Sequence, residues 1–425
     1  MSAKPLADEL MASPSAAPAM ALVDADDPRG LPDASVSFLR EDGVRRVSIY
    51  RPRAAFGLID ELDFLTRRSI DQNVFFSPQF LIPAMPRLDD RSVRLLVMRD
   101  EGARRSRVRL LMPFSVERAG LFGGPAIMRA WTHPFGPLGT PLVDSDDPLQ
   151  TLVSFLEVLK EDGLRLPGLL VLPDLRLDGP FARTLMSAAE KLGLPMASAN
   201  AFERASLDAG AKTGVEAALS SRRRREVARQ RRLLEAKGTL DFQVAREPTD
   251  VRHALEAFLH LEASGWKGRS RSALVMDRYR AAFARESVNR LAEKDRARIF
   301  TLRLDGAPIA SLVAFVTGGE AFAWKMAYDE THAAASPGLL MMIEASDALI
   351  ADPAVTRADS CAVPDHFLMN RLWKTRLPIG SLVVGLSENA GKRVDQAAEG
   401  LARARSSRNM VRLMRERLKS MLPLH

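Results

Sequence analysis

The chain has 425 residues, of which 46% are hydrophobic, and a formal net charge of +8, which excludes a mostly disordered chain and allows two or more domains with cores of their own. A single cysteine excludes an internal disulfide framework and fits a reducing compartment. No run approaches the ~18 apolar residues of a membrane-spanning helix and the first thirty residues lack a basic start with an apolar core, so the expected location is cytoplasmic.

Residues 1 to 34 are rich in Ala, Pro, Ser and Asp, with six acidic against two basic residues, and read as a disordered tail. Residues 35 to 213 read as a first α/β unit. Val44 to Tyr50 has strand character, Ala55 to Ser69 helical character, and Ser92 to Arg99 with Arg107 to Val116 forms a strand pair. Leu149 to Glu161 and Phe181 to Leu192 are helical, the second ending at Gly193, with a short buried strand at Leu169 to Leu172 between them. The segment from His133 to Pro141 is a loop stiffened by three prolines with two glycine hinges. Such loops often carry binding residues, so His133 is a candidate for contacting substrate; a structural wall between domains is the competing role.

Residues 214 to 238 form a basic linking helix in which Arg222, Arg223, Arg224 and Arg225 are consecutive. A solvated face is the ordinary explanation of such a run; phosphate binding by guanidinium forks is the alternative. No aromatic residues interleave with these arginines as nucleic-acid stacking would require.

Residues 239 to 390 read as a second unit. Thr249 to Gly265 and Ala273 to Arg296 are helical, and between them Glu262, Trp266 and Lys267 are delivered together. Arg298 to Leu304 and Ala307 to Thr317 are strands joined at Asp305-Gly306, a hairpin signal. Phe322, Trp324, Met326 and Tyr328 alternate with Ala323, Lys325 and Ala327, which makes a third strand with Lys325 on the face opposite Trp324 and Met326. A helix from Leu339 to Ala351 follows. Its start is marked by Ser336 as a cap, Pro337 at the first helical position and Gly338, which permits close approach to the backbone. A helix start suits an anion such as a pyrophosphate, while a ligand-free strand-to-helix junction is the plain alternative. Arg357 to Val363 is the next strand, His366 to Thr375 a helix and Ser381 to Ser387 a last strand, giving the order β-β-β-α-β-α-β. Residues 391 to 425 form a basic amphipathic helix, able to pack on its own domain or to lie on an anionic membrane.

Three stretches, Trp-Lys-x-Ala-Tyr-Asp at 324 to 329, Ser-Pro-Gly-Leu-Leu at 336 to 340 and Asp-Ser-Cys-Ala-x-Pro-Asp-His at 359 to 366, together with the element order, resemble the GNAT-type acyltransferases associated with bacterial cellulose and exopolysaccharide synthesis. These are related in fold to the Fem-type aminoacyl transferases. The resemblance implies an α/β (α+β) protein of two tandem GNAT-like units, each a mixed, mostly antiparallel sheet flanked by helices. It implies acetyl-CoA or another acyl-CoA as donor, expected at Ser336, Pro337, Gly338 and Leu339, and a small-molecule or glycan-linked acceptor lined by Glu262, Trp266 and Lys267. For these three, a helix C-terminus with an aromatic anchor and basic residues facing its dipole is the structural alternative; Trp324 is a further candidate for contacting the acceptor. Peripheral contact with the inner membrane, or association with a polysaccharide synthase there, is a further expectation, with the basic C-terminal helix as the element that would make it. The usual Arg/Gln-x-x-Gly-x-Gly/Ala phosphate loop is absent, since 331 to 338 holds a single glycine, which leaves aminoacyl-tRNA as an alternative donor and a non-catalytic scaffold as an alternative role.

The resemblance also implies that the strands at 322 to 328 and 357 to 363 splay to admit the thioester; the candidates there are Lys325 and Asp359, expected to face one another across the splay, and His366. Since the tyrosine such enzymes use on the following helix has no counterpart in 366 to 375, Tyr328 or solvent is the expected proton source for the leaving thiolate. A core-edge ion pair is the structural alternative for Lys325 and Asp359, and a solvated first-turn residue for His366. Cys361 reads as packing rather than as a nucleophile. No spacing of His, Cys or carboxylates matches a zinc site, so no metal is expected.

Overall fold

The computed structural model describes residues 32–40, 43–88, 93–102, 106–119, 124–210 and 214–421, with side chains to 406. The acidic N-terminal tail and the apolar stripe expected along the end of the last helix lie outside what is described.

The strands are β1 (Ala34–Arg40), β2 (Gly43–Tyr50), β3 (Arg94–Glu101), β4 (Ser106–Arg118), β5 (Ala126–Ala130), β6 (Leu142–Val143), β7 (Leu169–Arg176), β8 (Met196–Asp208), β9 (Leu240–Ala245), β10 (Ala297–Leu304), β11 (Ala307–Thr317), β12 (Gly319–Tyr328), β13 (Val355–Asp359) and β14 (Thr375–Gly385). They join into one sheet in the order β1-β2-β3-β4-β5-β7-β14-β8-β13-β12-β11-β10-β9, with β6 beside β4. Two pairs are parallel, β5 with β7 and β12 with β13, and the other pairings are antiparallel. The fold is therefore mixed α/β, mostly antiparallel, with helices on both faces.

The two halves repeat one arrangement. From β2 inward to β7, and from β9 inward to β13, three antiparallel pairings lead to one parallel pairing. At the centre the last strands trade places: β14 lies between β7 and β8, and β8 between β14 and β13. The halves thus share a sheet and buried ion pairs. Arg204 on β8 reaches Asp359 on β13 at 3.2 Å, and Arg296 before β10 reaches Asp63 in the 59–68 helix at 2.7 Å. Arg176 on β7 binds both Asp71 and Glu320, and burial holds the Glu320 carboxyl up at about 8 despite that partner.

Two local features decide where the site residues point. In β12, Val313 of β11 pairs with Lys325 and Ala314 with Ala323, so Trp324 is an extra residue, a β-bulge. The bulge reverses the alternation. Trp324 and Lys325 both turn to the face covered by the 248–264 and 278–292 helices, whereas Met326 and Tyr328 turn to the face covered by the 337–351 helix. The expected placement of Met326 with Trp324, and of Lys325 opposite both, is corrected accordingly. Second, β12 and β13 pair only from Gly319↔Val355 to Phe322↔Asp359, after which β12 runs on to Tyr328 paired with β11 only and the sheet opens on its other edge.

The same opening exists in the first half, between β5 and β7, where pairing is confined to Met128↔Leu170 and Arg129↔Val171. There it is filled. Where β12 has the single extra Trp324, the first half has residues 131–141, inserted between the β4–β5 and β4–β6 pairings. The Gly139 N–H donates to the Pro173 carbonyl at 3.1 Å, and Asn73 Nδ2 donates to the Leu138 and Thr140 carbonyls at 3.2 and 2.9 Å. A Cβ on Gly139 would stand 2.4 Å from the Pro173 oxygen, so this seat admits only glycine.

Candidate functional site

Past the last β12–β13 pair the structure holds two cavities, of about 800 and 520 Å³, which share Met326, Tyr328, Phe367 and Leu368.

The larger cavity lies between the 221–235 and 337–351 helices. The second of these begins at Pro337, and Ser336 before it adopts a left-handed backbone at φ 48°. Its hydroxyl does not cap the helix as expected; it accepts from Gln230 Nε2 at 3.1 Å. Pro337 brings no N–H, and the Leu339 and Leu340 N–H groups both turn back to the Ser336 carbonyl, at 2.9 and 3.3 Å. The helix end therefore offers the Gly338 N–H rather than a fan of donors. Gly338 is buried, and a Cβ there would sit 3.4 Å from the Tyr328 ring, so alanine fits and a longer side chain meets Tyr328 and Met326. Ser336, Gly338 and Leu339 line this cavity together with Arg223, Arg371 and Lys374, and among the described residues no carboxylate lines it. Arg371 lies over the Phe367 ring, 3.3 Å from its centroid. Arg224, by contrast, is turned inward to the Ala217 and Leu219 carbonyls and serves the start of its own helix.

The smaller cavity is lined by Glu262, Trp266, Lys267, Trp324, Lys325 and His366, among others. Glu262 is 2% exposed at the end of the 248–264 helix. It accepts from Lys267 Nζ at 3.0 Å and from the Leu274 N–H at 2.8 Å, and Lys325 Nζ stands 3.8 Å away. Lys267 Nζ also donates to the Met326 carbonyl at 2.9 Å. The Lys325 ammonium faces the Phe135 ring at 4.9 Å, and burial pulls its pKa down to about 8. Burial outweighs Glu262, and nearby Lys267 and Arg280 add to the lowering.

The pairing of Lys325 with Asp359 does not exist. Asp359 lies opposite Phe322, three positions before Lys325, and the bulge directs Lys325 towards Glu262. The Asp359 carboxylate binds Arg204 and the Cys361 N–H, and it lines neither cavity. His366 precedes its helix rather than standing inside it. Its Nδ1 accepts the Met369 N–H at 3.3 Å, so the neutral ring carries its proton on Nε2 and is a donor before it is a base. His133 is walled in by Trp131, Phe80, Phe135 and Phe283, and burial pushes its pKa down to about 3. It lines neither cavity; its neighbour Phe135 makes the contact across the halves, accepting from Trp324 Nε1 at 2.7 Å. Cys361 sits in a left-handed turn beyond β13, at φ 50°, and burial pushes its thiol up, the opposite of an activated nucleophile. Sequence reasoning missed Phe367, Arg371 and Lys374. Their signal was two cations three apart after His366, easily taken for an exposed helix face.

Residues 221–367 match the family model described as Acetyltransferase (GNAT) domain, which spans the arginine helix, the bulged strand, the 337–351 helix and the start of the helix after His366. FemX shares the fold with a TM-score of 0.52 at 10% identity, over 76% of this chain and 95% of that one. L-PGS from Bacillus licheniformis aligns with a TM-score of 0.43 at 13% identity, over 69% and 86% of the two chains. A tandem GNAT protein from the clavulanic acid biosynthesis pathway aligns with a TM-score of 0.37 at 12% identity, over 83% and 98%. The sequence matches no curated protein.

Proposed function

We propose that the protein is an acyltransferase that takes an acyl group from acyl-CoA in the larger cavity and passes it to an amine or hydroxyl in the smaller one, on a sugar-linked or small-molecule acceptor of envelope or exopolysaccharide metabolism. The observation that carries this reading is the meeting of the two cavities at Met326 and Tyr328, where the sheet opens, one cavity cationic and the other holding a lysine of lowered pKa.

The donor's phosphates meet Arg223, Arg371, Lys374 and the Gly338 N–H, and its pantetheine arm follows the opening to Met326. In a strand the N–H and C=O of one residue share an edge. The Met326 carbonyl is held by Lys267 on the edge away from β11, so the Met326 N–H faces the opening and is the donor for the thioester oxyanion. Neutral Lys325 takes the proton of the attacking amine or hydroxyl as the new C–N or C–O bond forms. The C–S bond then breaks, and Tyr328, which lines both cavities, or water protonates the thiolate. Glu262, fixed by Lys267 and Leu274, holds Lys325 at the mouth of the opening.

Titration calorimetry with acetyl-CoA tests the donor half. Wild-type protein should bind, and Gly338→Leu should weaken binding about tenfold or more, because the new side chain displaces the Tyr328–Met326 wall. Arg223→Gln with Lys374→Gln should weaken binding and flatten its salt dependence. Unchanged affinity in Gly338→Leu removes this cavity as the donor site. Aminoacyl-tRNA is the competing donor, and transfer from it by a protein that ignores CoA would replace the acyl-CoA reading.

A further inference from the structure

Among the described residues three phenylalanine or tryptophan side chains are exposed, Phe64, Trp266 and Phe367, at 45%, 51% and 67%. Phe64 lines neither cavity. The other two both line the smaller cavity, on opposite segments of its rim. Trp266 opens a single helical turn held from behind, its backbone N–H donating to Glu330 Oε1 at 2.7 Å while Arg269 binds the other carboxylate oxygen. The turn closes tightly because Gly268 packs on the Ala263 carbonyl, where a Cβ would stand 1.7 Å away. Above this turn the indole is half exposed. Each segment adds a further exposed apolar residue, Met276 at 49% and Val363 at 53%.

The same two segments are basic. Residues 262–280 carry five basic against two acidic residues, and 363–376 carry three against one. Lys267 is paired with Glu262 and Arg269 with Glu330, which leaves Arg271, Arg278 and Arg280 against Asp277, whose carboxylate accepts the Tyr279 and Arg280 N–H groups. Exposed aromatics among cations suit a surface that is apolar within and anionic at its face, since indole and phenyl rings enter the interfacial layer while lysine and arginine remain at the phosphates. No helix among the described residues is long and apolar enough to cross a membrane, so such contact is peripheral.

We infer that the rim carrying Trp266 and Phe367 docks on an anionic lipid surface, placing the smaller cavity against the bilayer so that its acceptor is presented from the membrane. The inference rests on the acceptor reading of that cavity only for its consequence. Docking is measured without donor or turnover, so its failure leaves the transferase reading standing, and a failed transfer assay leaves docking standing.

The experiment is flotation of the full-length protein with vesicles of phosphatidylcholine alone and of phosphatidylcholine mixed with phosphatidylglycerol, read together with tryptophan emission. Trp131, Trp324 and Trp373 are buried, so a blue shift on binding reports Trp266. Wild-type protein should float with the anionic vesicles and shift blue. Trp266→Phe should still float without the shift. Trp266→Ser with Phe367→Ser should bind about tenfold more weakly at an unchanged melting temperature. Three results overturn the inference: no flotation with anionic vesicles; full flotation of the double serine variant, which moves the contact to another surface such as the basic C-terminal helix; or a blue shift with soluble saccharide and no vesicles, which makes Trp266 a sugar platform.

Discussion

Lys325→Met should lower kcat/KM for acyl transfer by about a hundredfold or more while leaving the melting temperature at pH 7 unchanged or raised. Both halves of this expectation follow from the lysine's surroundings. Burial beside Phe135 and Trp324 brings its pKa down to about 8, so near neutrality an appreciable fraction is the free amine that can take a proton from the acceptor. Methionine fills the space without that amine. Stability runs the other way, because the folded pKa lies below the unfolded value of 10.5. The unfolded chain binds more protons between those values, so the cost of burying this ammonium is fully present below about pH 8 and is relieved as pH rises towards 10.5. Methionine removes that cost, and Glu262 keeps Lys267 and the Leu274 N–H as partners. The pH profile separates base from anchor. If the free amine is needed, kcat/KM rises through about pH 8 and the variant's residual activity loses that step. Activity that instead falls through the same range would mean that the ammonium holds an anionic acceptor. A folded and fully active Lys325→Met protein sinks both roles.

The strand-to-helix stretch from Phe322 to Ala351 was legible in the sequence because its signals are local: alternation along the strand, Pro337 at the helix start, glycine beside it. The gathering of Glu262, Trp266 and Lys267 was legible for the same reason, since a glycine-marked helix end brings them together. What was not legible depends on pairing with distant strands. The Trp324 bulge changes no residue type, yet it moves Lys325 to the other face of the sheet and so changes its partner from Asp359 to Glu262. Strand β8, with its run of alanine and serine, has little strand character of its own and is held by β14 on one side and β13 on the other. The helix expected to begin at Ala273 was interrupted because Asp277 caps a new start, and the one expected from His366 to Thr375 stops at Leu372, where β14 begins three residues later. The filling of the first half's opening by residues 131–141 was equally hidden. Only the two pairing registers of β4 show that this loop stands where the second half has one extra residue.

Arg204→Met should lower stability by about 3–5 kcal/mol, and should do so in a single transition. Arg204 and Asp359 are 3% and 1% exposed, at the seam where β8 lies against β13. Without the guanidinium the Asp359 carboxylate keeps the Cys361 N–H as its contact and stays in a place that water does not reach. Replacing both partners, Arg204→Met with Asp359→Leu, should recover much of the loss, since an apolar pair of similar bulk leaves no uncompensated charge. The single transition follows from the exchange of strands. Melting either half alone would strip β14 from β7 or β8 from β13, exposing the edge of the half that remained. Calorimetry that resolves two transitions, with the substitution moving one of them, would show that the halves unfold independently despite the shared sheet. Loss of acyl transfer at an unchanged melting temperature would return Asp359 to the chemistry, by way of its ion pair with Arg204.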